Sequence, residues 1–353
     1  MVGCCSSSHG AAVLAAADLV PVIISLILVG LVVTLASWAA TGAVLMALRR
    51  HGVFDRPNQR SSHSTLTPRG GGIAVIFCLL LASVVTKAMG LAMPAGIWPL
   101  LAGVAVLAAV SWVDDLRNIS ARFRLLMQAL CVTMPLLAFE SAGPVFQGIF
   151  PPVLDKLLAG LAWLWFINLF NFMDGIDGMS ATETICIGFG LAAAALITGE
   201  PHGLALPAVI AGAAGLGFVA WNWAPAKIFL GDVGSVPLGY FLGGLLLWAA
   251  ANGFWELAAI LPLYYLVDAT GTLLRRASRG GRFWEPHREH AYQRAVQGGL
   301  SHAAVVRRVA LCNLALIAAA VWAAAGYGIF AISVACCAVL ALMLEFRRHF
   351  PKS

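Results

Sequence analysis

An all-α, polytopic transmembrane bundle of about eleven spans is the fold this sequence predicts, and three observations carry it. The 353 residues are 61% hydrophobic and only 11% charged, with a mean hydropathy of +0.88. A water-soluble domain of this length could not bury so much apolar surface. Apolar runs of about 20 residues recur along the whole chain, the length a helix needs to cross a hydrocarbon core about 30 Å thick. When the runs alternate in direction, every Lys and Arg of the 22 except Lys87 and Lys156 falls on one side. That segregation marks the cytoplasmic side and fixes the parity of the spans.

Taken in order, residues 1–18 (MVGCCSSSHGAAVLAAAD) are expected to be a disordered outer tail, without the basic region that opens a signal peptide. Spans are expected near 25–48, 71–90, 96–113, 124–142, 156–172, 180–199, 203–222, 235–251, 255–274, 305–324 and 327–346. Between them, the segments 49–70, 114–123, 173–179, 223–234 and 275–304 are cytoplasmic loops, and the C-terminus shares their side. The net charge of +6 then reflects topology and anionic lipid headgroups rather than nucleic acid. No soluble domain, linker or internal repeat interrupts the sequence, so 1–353 is expected to be a single integral membrane domain. Six of the eight Cys lie in spans and two at Cys4 and Cys5, with no CxxC pair, which argues against zinc and against a disulfide framework.

The acids carry the functional signal. Five of nine Asp sit at the cytoplasmic edge: Asp114, Asp115, Asp174, Asp177 and Asp232. An ionised Asp inside a membrane helix costs about 2.5–3.5 kcal/mol, so acids there usually have a task, although a helix end at the interface is also a cheap place for charge. Carboxylates from three loops brought together call for a hard divalent cation: Mg2+, with Mn2+ as the alternative.

Each loop adds detail. In VSWVDDLRNIS, Asp114 and Asp115 close the third span and are followed by Arg117 and Asn118. In NLFNFMDGIDG, Asn168, Asn171, Asp174 and Asp177 recur every third residue, which on a continuous helix fans them around half the cylinder. They converge only where Gly175 and Gly178 break the helix. In IFLGDVGSVPLGYF, Asp232 sits between Gly231 and Gly234 at a helix start whose amides could face an anion. Two loops are basic: 49–72, with Arg69, His63 and three closing Gly, and 275–296, with His287, Arg288, His290 and Arg294. Positive-inside topology alone would explain basic loops, but the clustered His and Arg also suit phosphate oxygens. On a helix His287 and His290 would share one face. Carboxylates, Gly-rich turns and an Arg/His loop on one face suit phosphoryl transfer to a lipid-borne substrate.

At these residues the chain resembles the polyprenyl-phosphate N-acetylhexosamine-1-phosphate transferases, bacterial inner-membrane enzymes that begin lipid-linked glycan synthesis. TPRGGG, VDDLRN, NxxNxxDGxDG, IFLGDVGS and HREHAYQR occur in the family's order, from about residue 49 to 296. The first and last loops look nearest to the branch that initiates O-antigen and common-antigen synthesis; the spaced His287 and His290 differ from the run of adjacent His in the cell-wall branch. The resemblance implies a Mg2+-dependent reaction. Undecaprenyl phosphate attacks the β-phosphorus of a UDP-N-acetylhexosamine, UMP leaves, and an undecaprenyl-diphosphate-linked sugar remains.

By motif, Asp232 would be a direct metal ligand, supported by Asp177 and Asp174. Asp114 and Asp115 would position or deprotonate the lipid phosphate. Asn168, Asn171, Asn118, Arg69, His287, Arg288 and His290 would contact substrate, and Asn222 would contact substrate or brace the metal loop. Asp268, in the ninth span, would support the Arg275–Arg276 end or the last loop. The implied partners are undecaprenyl phosphate, a UDP-N-acetylhexosamine and membrane lipids, with a homodimer as a candidate assembly and no nucleic acid. Two rival readings are a secondary transporter, whose site would lie near mid-membrane between repeated halves, and a CDP-alcohol phosphotransferase, whose DGxxAR signature is missing.

Overall fold

The computed structural model describes residues 16–55, 66–117, 119–138, 142–199, 203–281 and 287–351. The expected outer tail up to residue 15, His63 and Asn118 lie outside the described residues. Among the described residues the regular structure is helical apart from one pair of two-residue antiparallel strands, β1 (Phe54–Asp55) and β2 (Thr67–Pro68).

Thirteen helices are described: α1 Ala16–Arg50, α2 Gly72–Ala88, α3 Ile97–Arg117, α4 Ala121–Ala138, α5 Pro152–Phe172, α6 Met179–Thr198, α7 Ala205–Asn222, α8 Asp232–Ala251, α9 Trp255–Ile260, α10 Leu263–Ser278, α11 Ala291–Gln297, α12 His302–Ala324 and α13 Gly328–Arg348. Nine of them are long and apolar enough to cross a membrane: α1, α3 to α8, α12 and α13. The chain is a multi-pass membrane protein. The 17-residue α2 lies at the short end of what can span.

One expected span is corrected. The run 255–274 is not one helix but two, α9 and α10, parted at Leu261–Pro262. Proline has no amide hydrogen to donate and its ring crowds the preceding turn, so the helix stops and restarts. Neither piece spans alone, and α10 carries Asp268, Thr272, Arg275 and Arg276, a polar load unlike that of its neighbours.

The centre of the bundle is α8, whose membrane-length window is entirely buried. It packs against α3 and α5, with α2 beside it; α1 lies outside against α7, and α6 links α7 to α12. Trp163 of α5 stacks on Tyr240 of α8 at 4.9 Å and donates its indole N–H to the Tyr240 carbonyl at 2.8 Å. Between α6 and α12, Asn313 donates to Glu183 at 2.6 Å, satisfying one oxygen of a fully buried acid. Because the helices alternate in direction, the connections α1–α2, α3–α4, α5–α6 and α7–α8 meet at one end of the bundle. That end holds all five edge acids.

Candidate active site

The frame of the site is a backbone ladder between two loops. The Arg69 segment forms a parallel bridge with Phe229. The Phe229 amide donates to the Pro68 carbonyl at 2.8 Å, Gly71 donates to Phe229 at 2.8 Å, and Gly72 donates to Leu230 at 2.8 Å. These bonds set Arg69 beside the start of α8. Gly231 then turns the chain with φ +77°, a left-handed value that a side chain would strain, so that Asp232 opens the helix.

Three carboxylates gather there around two guanidinium groups. The Arg69 Nη2 lies 2.9 Å from Asp115 Oδ1 and 2.8 Å from Asp232 Oδ1. Asp115 also accepts the amides of Asp232 (3.4 Å) and Val233 (3.1 Å), so it caps α8. The anion at that helix N-terminus is therefore a residue of the chain, not a substrate group. Arg124, at the first turn of α4, lies 2.6 Å from Asp114 and 3.5 Å from Asp232. Burial outweighs other effects on Arg69 individually, but Asp232 and Asp115 together hold its pKa above the ordinary value.

The adjacent pair Asp114 and Asp115 divides its work, since neighbours on a helix point about 100° apart. Asp115 faces Asp232. Asp114 is buried, with one oxygen on Arg124 and the other accepting the Ile119 amide at 2.8 Å, which closes the α3–α4 turn. Both Asp114 oxygens are thus engaged within the chain, one by Arg124 and one by the turn.

The four residues of the 168–177 series do not converge. Asn171 donates to Asp232 (3.3 Å) and Ser235 (2.8 Å) and so joins the cluster. Asp174 faces it too: burial, then the charge of Asp232, pushes its carboxyl up to about 7, with Ser180 opposing. Asn168 instead donates to Gln128 of α4 at 2.8 Å. Asp177 accepts the Ala226 amide at 3.0 Å and lies 3.4 Å from His302 Nδ1. Asn168 and Asp177 thus tie helix and loop positions together. Asn222 braces the neighbouring loop, as one of its two expected roles has it: buried, it accepts the Gly178 amide at 2.9 Å and donates to the Ile228 carbonyl at 2.9 Å.

The last loop is anchored by a buried acid. Asp268 accepts the amides of Ala291 (2.7 Å) and Tyr292 (3.3 Å) and the hydroxyls of Tyr264 (3.0 Å) and Thr272 (3.3 Å). Arg276 pairs with Glu289. His290 stacks on Tyr292, and His287 lies 4.8 Å from His290, but both precede α11 rather than sharing a helical face. Burial, then the neighbouring His290, pulls His287 down to about 4, so it is neutral at pH 7. Arg288 offers its carbonyl to Gln297 at 2.9 Å. Tyr292 reaches across and donates to the Phe172 carbonyl at 3.1 Å, and a Cβ on Gly175 would strike its hydroxyl. Gly175 is needed for this close approach; α5 has already ended at Phe172, and Gly178, φ +80°, starts α6.

Sequence reasoning missed Arg124, Ser235, Tyr292 and His302. Arg124 had a signal: it lies ten residues after Asp114, in the first turn of the next span, where the two helix ends must meet.

Could the cluster hold a divalent cation? Among the described residues no group of three or more His, Cys, Asp or Glu is spaced to hold a metal. Mg2+, however, is commonly held by one or two carboxylates with substrate phosphates and water completing its shell. Asp115 and Asp232 are such a pair of hard oxygen donors. The charges point the same way, since among the described residues the cations paired with Asp114, Asp115 and Asp232 are Arg69 and Arg124, and Asp174 adds a fourth acid. The charges of Asp232 and Asp115 add to the burial that raises Asp174. The donor set fits.

Comparison with known proteins places the chain among similar sequences. Residues 97–250 match the model of glycosyl transferase family 4. The chain is 30% identical over 317 residues to the decaprenyl-phosphate N-acetylglucosaminephosphotransferase of Mycobacterium tuberculosis, covering 80% of this chain and 78% of that one. It is 29% identical over 265 residues to a probable undecaprenyl-phosphate N-acetylglucosaminyl 1-phosphate transferase of Bacillus subtilis, covering 71% and 72%. It is 29% identical over 283 residues to the undecaprenyl-phosphate alpha-N-acetylglucosaminyl 1-phosphate transferase of Yersinia pestis, covering 75% and 76%.

Proposed function

Because the chain belongs to the polyprenyl-phosphate N-acetylhexosamine-1-phosphate transferase superfamily, within glycosyl transferase family 4, we propose that it transfers N-acetylglucosamine 1-phosphate from UDP-N-acetylglucosamine to undecaprenyl phosphate. A phosphate oxygen of the lipid attacks the β-phosphorus of the donor. The bond from that phosphorus to the bridging oxygen breaks, UMP leaves with the electron pair, and a new diphosphate joins sugar to lipid. The reaction takes place at the cytoplasmic face of the bacterial inner membrane and is the first membrane step of O-antigen or a related glycan.

The observation that carries this reading is the pairing of Asp115 with Asp232 through Arg69 at the start of the central helix. Asp115 and Asp232 would hold Mg2+, which would supply charge neutralisation for the diphosphate oxygens. Arg69 and Arg124 offer planar donor forks to phosphate. Asn171 and Ser235 orient Asp232. A lipid phosphate is largely ionised at neutral pH, so Asp174 is better suited to position it than to deprotonate it. His287, neutral and beside Arg288, hydrogen-bonds donor oxygens without adding charge.

Purified protein supplied with UDP-N-acetylglucosamine should release UMP only when undecaprenyl phosphate and Mg2+ are both present. A panel with the N-acetylgalactosamine, N-acetylfucosamine and N-acetylquinovosamine donors should show slower turnover. Equal or faster turnover with another donor overturns the sugar assignment, and release without the lipid overturns the reaction.

A further inference from the structure

We propose that Arg69 is a built-in occupant of the cation position between Asp115 and Asp232, and that it gives up this position to the metal and turns to the donor's diphosphate, so that metal and nucleotide bind with positive coupling. The inference rests on the metal reading above and deepens it.

The geometry singles out Arg69 as the group that moves. One of its nitrogens sits almost equally far from both carboxylates, at 2.9 and 2.8 Å. Asp115 cannot retreat: its side chain is only 5% exposed and two α8 amides hold it. Asp232 is steadied by Asn171 on the oxygen that Arg69 shares. The Arg69 side chain, by contrast, is 36% exposed, while its backbone is fixed by the ladder to residues 229 and 230. Its guanidinium can therefore swing without disturbing the loop.

A divalent cation binds carboxylate oxygens at about 2.0–2.1 Å for Mg2+, inside the gap that the Arg69 nitrogen fills. Two cations there would also repel strongly, because the surroundings screen poorly. Metal and guanidinium exclude each other. The released guanidinium is a bidentate phosphate donor, and a diphosphate beside the metal is its natural next partner. A nucleotide diphosphate that draws Arg69 away raises metal affinity, and by linkage the metal raises nucleotide affinity by the same factor.

The test uses Mn2+ as a paramagnetic probe on the full-length protein in detergent, with free Mn2+ read by EPR, with and without UDP. Arg69→Gln should bind Mn2+ about tenfold more tightly than the unmodified protein in the absence of nucleotide, and its gain on adding UDP should shrink by a similar factor. Arg69→Lys, which keeps the charge, should retain weak Mn2+ binding and serves as the control for folding. Equal or weaker Mn2+ binding by Arg69→Gln would overturn the exchange. Asp232→Asn separates the two readings: if it leaves Mn2+ binding intact in every protein, the metal assignment itself is wrong, whatever Arg69 does.

Discussion

Asp115 caps the helix that Asp232 begins: its Oδ2 accepts the Val233 amide at 3.1 Å while Arg69 ties its Oδ1 to Asp232. One carboxylate thus joins the end of α3, the start of α8 and the first loop. Replacing it with Asn should cost about 1 kcal/mol of stability through the lost charge at the helix terminus. Turnover should fall by about 100-fold or more, since one of the two carboxylates that would hold Mg2+ against the reacting phosphates is removed. Thermal midpoints in detergent and UMP release measure the two effects separately.

Asp114→Asn should behave differently. Its bonds to Arg124 and the Ile119 amide hold a turn, so the variant should lose about 1 kcal/mol of stability. Its turnover should stay well above that of Asp115→Asn. Equal loss in the two variants would show that Asp114 also reaches substrate.

Gly175→Ala should lower activity by displacing Tyr292, because the added methyl meets the Tyr292 hydroxyl. Overpacking of this kind costs about 1–3 kcal/mol. Removing that hydroxyl in a Gly175→Ala, Tyr292→Phe double variant should recover part of the loss. A double-mutant cycle on the thermal midpoint reads the coupling; strict additivity would mean that the two residues do not meet.

His287 sets a pH dependence of stability. Its folded value, pulled down to about 4 by burial, lies below the unfolded value of 6.5. The folded state binds the proton less readily than the unfolded chain, so this contribution is complete above pH 6.5 and is lost as pH falls toward 4. The thermal midpoint should drop across that window, and His287→Gln should flatten the drop. An unchanged profile in the variant would assign the dependence to other groups.

Much of this architecture was legible in the sequence, for physical reasons that differ by element. The apolar runs mark α3, α5 and α8 to within a few residues because the bilayer demands both length and composition. The α9–α10 break was not legible from hydropathy, which averages across Pro262. Residue types placed Asp115, Asp232 and Arg69 on one face, because carboxylates gathered from separate loops call for cationic partners. They could not say which atoms meet: that Asp177 accepts the Ala226 amide and Asn222 the Gly178 amide is written in no spacing along the chain. Tyr292 emerged only from packing, since it acts on Phe172, 120 residues away in sequence.

The central claim is that Asp115 and Asp232 form one cation-dependent reaction centre for transfer of a sugar phosphate. Donor labelled with 32P in its β-phosphate tests it directly in the purified protein. The label should pass to undecaprenyl phosphate in the presence of Mg2+, and Asp232→Asn should abolish transfer while remaining folded. Label left with the nucleotide, or full transfer by Asp232→Asn, would contradict the account.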